Sequence, residues 1–441
     1  MYKQQIKIIL FTWSMNMLII TLVGFFPRFQ AFLNMRGLFN IVVILYLFRY
    51  FSKMDSISRV TILFVIYLFI LSLFSSNILL SLTMTVKVSI GLLVFLVGRQ
   101  FFNTSFQFHK LLRYYKYLYI IIILSIIFSN ITGLGEIGYG EEEDRSSTFL
   151  FGGIGVAITK LLIIPILITP VYLFNIRQKS KRQIIMLLIF AGVVLTIIAF
   201  KRSSTLALIA GALVYMLFMK KSKIIAPIVY FILMAFVTLP LYQDYVFKSY
   251  HERESQLYYV SKDAGSMEKE GRYWETLNVI DAMKKDNLAH TIFGSEPFNE
   301  FDYFKVDRML HIDYNVILNG TGTLGLFIFV LIHYLILKKA WYFYKRTRNA
   351  YLKMISISVI SLTVFAIFIS IGGSIRSFDF RGPIFLYLGA ALGYLEHEHF
   401  RQNSLNYISK RRKLISSRNI GSFTPAKQSA NGEVNRTLNA I

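Results

Sequence analysis

His311–Phe329 reads HIDYNVILNGTGTLGLFIF. The stretch begins polar and titratable, passes three glycines and ends in residues that only a bilayer core accepts; the apolar run it opens, roughly 315–337, has spanning length. At helical spacing His311, Asn315, Asn319 and Gly322 fall at i, i+4, i+8 and i+11, one polar, small-residue stripe on a single face. A stripe of this kind does not suit lipid. It lines a water-filled cavity or packs tightly on another helix.

The same reading extends along the chain. Of its 441 residues 55% are hydrophobic and 16% aromatic, gathered in continuous runs instead of single faces, which marks an integral membrane protein. About twelve runs reach or approach spanning length: 8–26, 38–51, 60–80, 84–98, 117–132, 149–175, 184–200, 204–219, 224–242, 315–337, 354–372 and 382–395. The first is retained as a helix, because GFFPRFQ after it offers no small-residue cleavage site. Cysteine is absent, so no disulfide holds the loops.

The net charge of +24 is spread unevenly. With both termini cytoplasmic, the inside segments collect about 30 of the 48 Lys and Arg and the short outside loops about seven, the positive-inside asymmetry that orients membrane bundles. Charge so distributed argues against nucleic-acid binding. The sequence therefore predicts an all-α polytopic bundle over 1–395, a large exoplasmic loop at 243–314 containing an amphipathic helix, and a basic, disordered cytoplasmic tail at 396–441. In the loop, RYWETLNVIDAMKKD carries Trp274, Leu277, Ile280 and Met283 near helical spacing. Such a helix fits the outer membrane surface, roofing a cavity.

Three outer-face arginines break the charge rule: Arg145 in EDRSSTF, Arg202 in FKRSST and Arg272 in GRYWETL. Arginine offers a planar fork of donors that matches a diphosphate, though each could equally meet lipid phosphate or a nearby carboxylate. Among the loop histidines, His251, His290 and His311, only His311 stands at a helix mouth above a polar stripe. A neutral imidazole there could take a proton from an attacking hydroxyl, or it could be structural. Asp313 and Tyr314 could orient the ring or cap the helix. Lys87 sits near the end of its run and can snorkel, whereas Lys160 lies mid-run and marks the bundle interior. His397 and His399 in EHEHF have ligand chemistry but no second cluster facing them, and Glu141–Asp144 reads as a solvated loop, so no metal site is expected.

Taken in order, these elements resemble a known superfamily. H311-IDYNVILNGT-G322 followed by TLGL resembles the HX10G element of the O-antigen ligase and Wzy-type polysaccharide polymerase superfamily. GRYWETLNVIDAMKKDNLAHTIFGSEP is similar to its Gly-Arg segment with a glycine turn, here at Gly294; FKRSSTLALIAGALVYM and DRSSTFLFGGIGVAI resemble its Arg-containing turns. The likeness covers roughly 140–395; it departs at Ile312, where many relatives have Asn, and at Lys201-Arg202-Ser203, where they have Ser-Arg-Gly.

The resemblance implies a GT-C-like bundle in a bacterial cytoplasmic membrane with its active site facing the periplasm. The implied activity is cofactor-free, metal-independent glycosyl transfer from undecaprenyl-diphosphate-linked glycan, with a chain-length regulator as a candidate partner. Arg202 and Arg272 would neutralise the diphosphate, with Arg145 as a further phosphate contact. His311 would activate the acceptor hydroxyl, and Asp313, Tyr314 and Asn315 would line the glycan cavity. Polymerisation of repeat units is the leading expectation and ligation to lipid A core the alternative; a flippase is the rival from another class.

Overall fold

In the computed structural model the described residues are 3–25, 31–51, 54–132, 153–174, 176, 178–198, 202–218, 271–294, 297–298, 310, 312–373, 375 and 377–420. They form helices α1 (Lys3–Phe25), α2 (Ala31–Phe48), α3 (Ser56–Ser72), α4 (Ile78–Phe101), α5 (Ser105–Thr132), α6 (Gly153–Phe174), α7 (Lys179–Ile198), α8 (Arg202–Phe218), α9 (Gly271–Lys285), α10 (Leu288–Phe293), α11 (Asp313–Arg346), α12 (Ala350–Ile369) and α13 (Phe378–Ile420). A 3-10 turn, Ser370–Gly372, follows α12. No strand occurs among the described residues. The chain is an all-α, polytopic membrane protein.

Helices are what the sequence must form once it enters lipid, because only a helix satisfies its own backbone groups there. Five are long and apolar enough to cross by length and composition: Lys3–Val23, Ile78–Phe101, Ser105–Ser129, Asp313–Arg346 and Ala350–Gly372. The shorter Met35–Phe48, Ser56–Ser72, Lys160–Phe174 and Ser204–Phe218 are apolar too. The marked runs lie on helices, with 60–80 divided by the turn at 73–77 between α3 and α4; 224–242 falls outside the described residues, as does most of 243–314. The outward faces are greasy: Leu38, Val42 and Leu45 on α2 and Leu124 on α5 are exposed, as lipid-facing side chains are.

Starts are set by polar caps. Asp55 Oδ1 accepts from Ser58 N–H at 3.0 Å, Asn77 Oδ1 from Leu80 N–H at 3.1 Å and Asn349 Oδ1 from Tyr351 N–H at 2.8 Å. Inside, α12 is the central helix, with 78% of its apolar window buried. Two backbones meet where glycines allow it. A Cβ on Gly389 would stand 1.9 Å from Phe95 O and one on Gly98 2.2 Å from Leu386 O, so α4 and α13 touch main chain to main chain beside a Gly-x-x-x-Gly at Gly389–Gly393. Asn16 and Asn40 exchange amide hydrogen bonds at 2.8 and 3.0 Å between α1 and α2, which leaves neither amide bare in an apolar setting.

Ion pairs and hydrogen bonds sort the helix ends into two sets. At one end Asp55 (before α3), Arg99 (end of α4), Lys339 (late α11) and Glu396 (α13) alternate in a network: Arg99 pairs with Asp55 and, at 2.5 Å, with Glu396, while Lys339 reaches Asp55 at 2.8 Å and also Glu396. At the other end gather the end of α3 and the starts of α4, α11 and α13, tied by Tyr67 to Thr321, Ser81 to Pro297 and Asp313 to Arg381. Phe293, at the end of α10, and Pro297 sit at this second end.

The structure corrects one expectation about the tail. Contacts divide the chain into two units, Met1–Glu396 and His397–Ile441. Where composition suggested a disordered strand from 396, α13 runs on as helix to Ile420, and 421–441 lies outside the described residues. Within that stretch Arg401 pairs with Glu398 at 2.7 Å, an i,i+3 pair that supports helix.

Candidate functional site

The helix α11 is not one smooth cylinder. Gly322 has φ 65° and ψ −172°, a conformation that L side chains rarely adopt, so the helix is interrupted there and resumes toward Arg346. The predicted stripe is broken at its last member, since Gly322 no longer continues the helical register of Asn315 and Asn319. Into the interruption fits the end of α10. Its C-cap Gly294 has φ 81°, and a Cβ added to it would stand 2.4 Å from Gly320 O; one added to Gly322 would stand 2.4 Å from Ile292 O. The two glycine elements, twenty-eight positions apart, are thus one contact. Tyr67 Oη seals it, lying 2.7 Å from Phe293 O and 2.9 Å from Thr321 O, so that one phenol proton is shared between two carbonyls freed by the break.

The start of α11 is held from two sides. On one, the carboxylate of Glu275 in α9 accepts the Ile312 N–H at 2.9 Å and Asn315 Nδ2 at 3.1 Å, and Asn315 Nδ2 also reaches Thr276 Oγ1 at 3.0 Å. Glu275 is only 6% exposed. On the other, Asp313 is buried and ion-paired with the buried Arg381 of α13, and its Oδ1 accepts the Ile375 N–H at 2.8 Å. Arg381 also donates to Ala366 O at 3.1 Å and Ser370 Oγ at 2.6 Å, which gathers the end of α12 into the same joint. A buried guanidinium beside a single carboxylate needs such extra acceptors to offset its desolvation.

The residues singled out in the sequence are placed as follows. Arg145 and His311 lie outside the described residues; Arg202 opens α8 and Arg272 lies in the first turn of α9, but the side chains of both are outside what is described. The backbone of the first turn of α9 is pinned, through Glu275, to Ile312, the residue directly after His311. Asp313, Tyr314 and Asn315 are all engaged by protein. Neither Asp313 nor Tyr314 caps the helix: the N-cap is Ile312, without a side-chain bond, and Tyr314 Oη donates to Ile367 O at 2.8 Å. Asn319 is buried with its Oδ1 lacking a partner among the described residues.

Lys160 reaches Gly373 O at 3.3 Å, just past the 3-10 turn, with its ammonium 5.9 Å from the Phe380 ring. That accounts for a mid-run lysine: it faces the joint between α12 and α13. His290 pairs with Asp286 at 2.9 Å. Among the described residues no group of three His, Cys, Asp or Glu could hold a metal, and His399 Nε2 lies 3.2 Å from Asn403 Nδ2.

Three residues escaped sequence reading: Glu275, Arg381 and Arg36. Arg36 is 5% exposed and sits 4.7 Å from the Phe378 ring, although by its position it counted as a loop cation. Arg381 stands one residue before the last apolar run and counted likewise. The signal for Glu275 was a carboxylate within the first turns of a helix otherwise read only for its apolar face.

No family model matches the sequence, and no curated protein matches it. A chain in the solved structure described as "Structural coordination of polymerization and crosslinking by a peptidoglycan synthase complex" is similar in arrangement, with 13% identity, a TM-score of 0.47, and coverage of 79% of this chain and 98% of that one. A likeness of that size determines neither family nor activity.

Proposed function

We propose that this protein is a membrane glycosyltransferase that polymerises oligosaccharide repeat units carried on a polyprenyl (undecaprenyl) diphosphate, in the manner of the O-antigen polymerases its motifs resemble. The observation that carries the reading is the bond from Ile312 N–H to Glu275: it brings the helix start bearing Arg272 to the helix start that follows His311. A cation fork and an imidazole on adjoining backbone segments are what this reaction needs. The acceptor hydroxyl attacks the anomeric carbon of the donor, the bond from that carbon to the diphosphate oxygen breaks, and the glycosidic bond forms. Arg202, Arg272 and Arg145 stabilise the departing diphosphate, and His311 takes the hydroxyl proton. The electron pair of the broken bond stays on the diphosphate oxygen and adds a negative charge there, which arginine forks neutralise. The reaction takes place on the outer face of the cytoplasmic membrane, with the cation-rich helix ends inside.

The test is the surface-polysaccharide ladder of a deletion strain complemented with wild type, Arg202→Ala, Arg272→Ala or His311→Ala at matched membrane abundance, with His290→Ala as control. Polymerase function is expected to give a single repeat unit on the carrier lipid or core in the deletion and in the three variants, and a full ladder with the control. Accumulated polymer with bare core would instead assign ligation to lipid A core. Absence of any external repeat unit would assign transport, and normal ladders from all three variants would overturn the residue assignment.

A further inference from the structure

Between α5, α6 and α7 lies a groove. Its walls are Leu112, Tyr115, Tyr119, Pro165, Ile168 and Ile185 with their neighbours, and Lys116 is the one charged group among its lining residues. Three polar side chains of the walls bond within the protein. Tyr119 Oη donates to Leu188 O at 2.7 Å, Thr169 Oγ1 to Pro165 O at 2.6 Å and Tyr115 Oη to Pro383 O at 2.5 Å. The rest of the lining is apolar surface, Tyr172 and one ammonium. The Lys116 ammonium lies 6.0 Å from the Tyr172 ring and 4.8 Å from the Tyr117 ring, and it makes no ion pair among the described residues.

The charge around this groove is one-sided. No Asp or Glu occurs between Asp55 and Glu136, nor between Asp144 and Asp244, so the three helices that form the groove carry no carboxylate at all. They do carry Lys110, Arg113 and Lys116 in the first half of α5, and Lys179, Lys181 and Arg182 at the start of α7, the latter three exposed. Cations in a first turn oppose the helix dipole, and α7 has no acidic residue there to offset them. Ile185, in the groove wall, follows Arg182 by one turn. A basic rim above an apolar slot is the pattern that recognises anionic lipid headgroups.

Charge decides between occupants. A slot lined mainly by apolar side chains with one ammonium, on helices that carry several cations and no carboxylate, favours an apolar chain that bears an anionic head over an uncharged helix face. We infer that the groove between α5, α6 and α7 is a binding site for one anionic phospholipid, its acyl chain along Tyr119, Pro165 and Ile168 and its phosphate at Lys116. The apolar lining supplies no preference by itself, because lipid tails are as apolar as leucine; selectivity comes from the phosphate. This site is separate from the glycosyl-transfer reading and stands without it.

The experiment uses the full-length protein in detergent, stripped of lipid and titrated by native mass spectrometry with palmitoyl-oleoyl phosphatidylglycerol or the matching phosphatidylcholine. Wild type is expected to bind one phosphatidylglycerol in preference to phosphatidylcholine. Lys116→Gln should weaken the first about five-fold, the worth of one cation near an anionic headgroup, and leave the second unchanged. Lys116→Arg should restore the preference, and Ile185→Trp, which fills the slot, should abolish saturable binding of both. A melting curve for each variant separates loss of the site from loss of fold. Equal binding of the two lipids by wild type, or an unaltered preference in Lys116→Gln, overturns the proposal. So does a dimer that Ile185→Trp dissociates, which would make a second copy the occupant.

Discussion

Arg381 and Asp313 form a buried ion pair, 3% and 1% exposed, that joins the start of α13 to the start of α11 two residues after His311. The pair fixes the direction in which α11 leaves the loop, since Asp313 also holds the Ile375 N–H and Arg381 the end of α12. Removing one partner strands the other in a dry setting. Arg381→Ala and Asp313→Ala are each expected to destabilise by ~3–5 kcal/mol, and the double variant by less than their sum, read from thermal denaturation in nanodiscs. Full additivity would mean that the two charges do not depend on each other.

Glu275 acts through its carboxylate oxygen as an acceptor from Ile312 and Asn315. Glu275→Gln keeps an acceptor there and should retain most of the polymer ladder. Glu275→Ala releases α9 from the Ile312 backbone, and a displacement of about 1 Å between reacting groups costs on the order of 10²-fold in rate. The ladder should shorten at unchanged protein level. Equal ladders from both variants would remove Glu275 from the positioning of the site.

The Gly294–Gly322 contact leaves no room for a methyl group. Gly322→Ala must both adopt φ 65° and push a Cβ to within 2.4 Å of Ile292 O, so the end of α10 is expected to lift from the break in α11. Hydrogen exchange at residues 288–294 should rise by an order of magnitude or more in Gly322→Ala, each 1.4 kcal/mol of lost local stability being tenfold. Gly37→Ala, which meets nothing within 4 Å, is the matched control.

Asp55 is held in the network at the far end by Arg99 and Lys339. Burial alone would raise its carboxyl, but hydrogen bonds and charge from Arg99, with a further bond from Lys339, outweigh burial and hold it well below the usual carboxylate range. A carboxylate depressed on folding contributes stability above its unfolded value of about 3.9 and loses it as pH falls through the folded value. The melting temperature of wild type should therefore owe the same contribution to this network from pH 7 down to about pH 5. Asp55→Asn should melt lower across that window and converge on wild type only in strong acid. A difference that vanishes by pH 5 would show that Asp55 is not held in its charged form.

Much of the architecture could be read directly from residue order. The apolar runs become helices because lipid permits no other way to satisfy a backbone, and the runs within the described residues lie on helices. The weight placed on residues 311–322 and on Gly294 singled out the pair of elements that meet in the fold. Other features were illegible for a definite reason. Arg36 and Arg381 look like loop cations in sequence, since nothing local distinguishes a guanidinium in water from one packed over Phe378 or locked to Asp313. The helical extension to Ile420 was hidden by a polar, Ser- and Asn-rich composition that suits an exposed helix as well as a coil.

What the sequence determined by itself is what depends on transfer from water to lipid: the apolar spans. Tertiary structure alone decided the pairings across long separations: Glu275 with Ile312, Gly294 with Gly322, Asp313 with Arg381, and Asp55 with Arg99, Lys339 and Glu396. Burial is a property of one segment and its solvent, and hence periodic and visible in a single chain. A charge or a glycine acquires its partner only when distant segments are packed, and no local pattern records which one it meets.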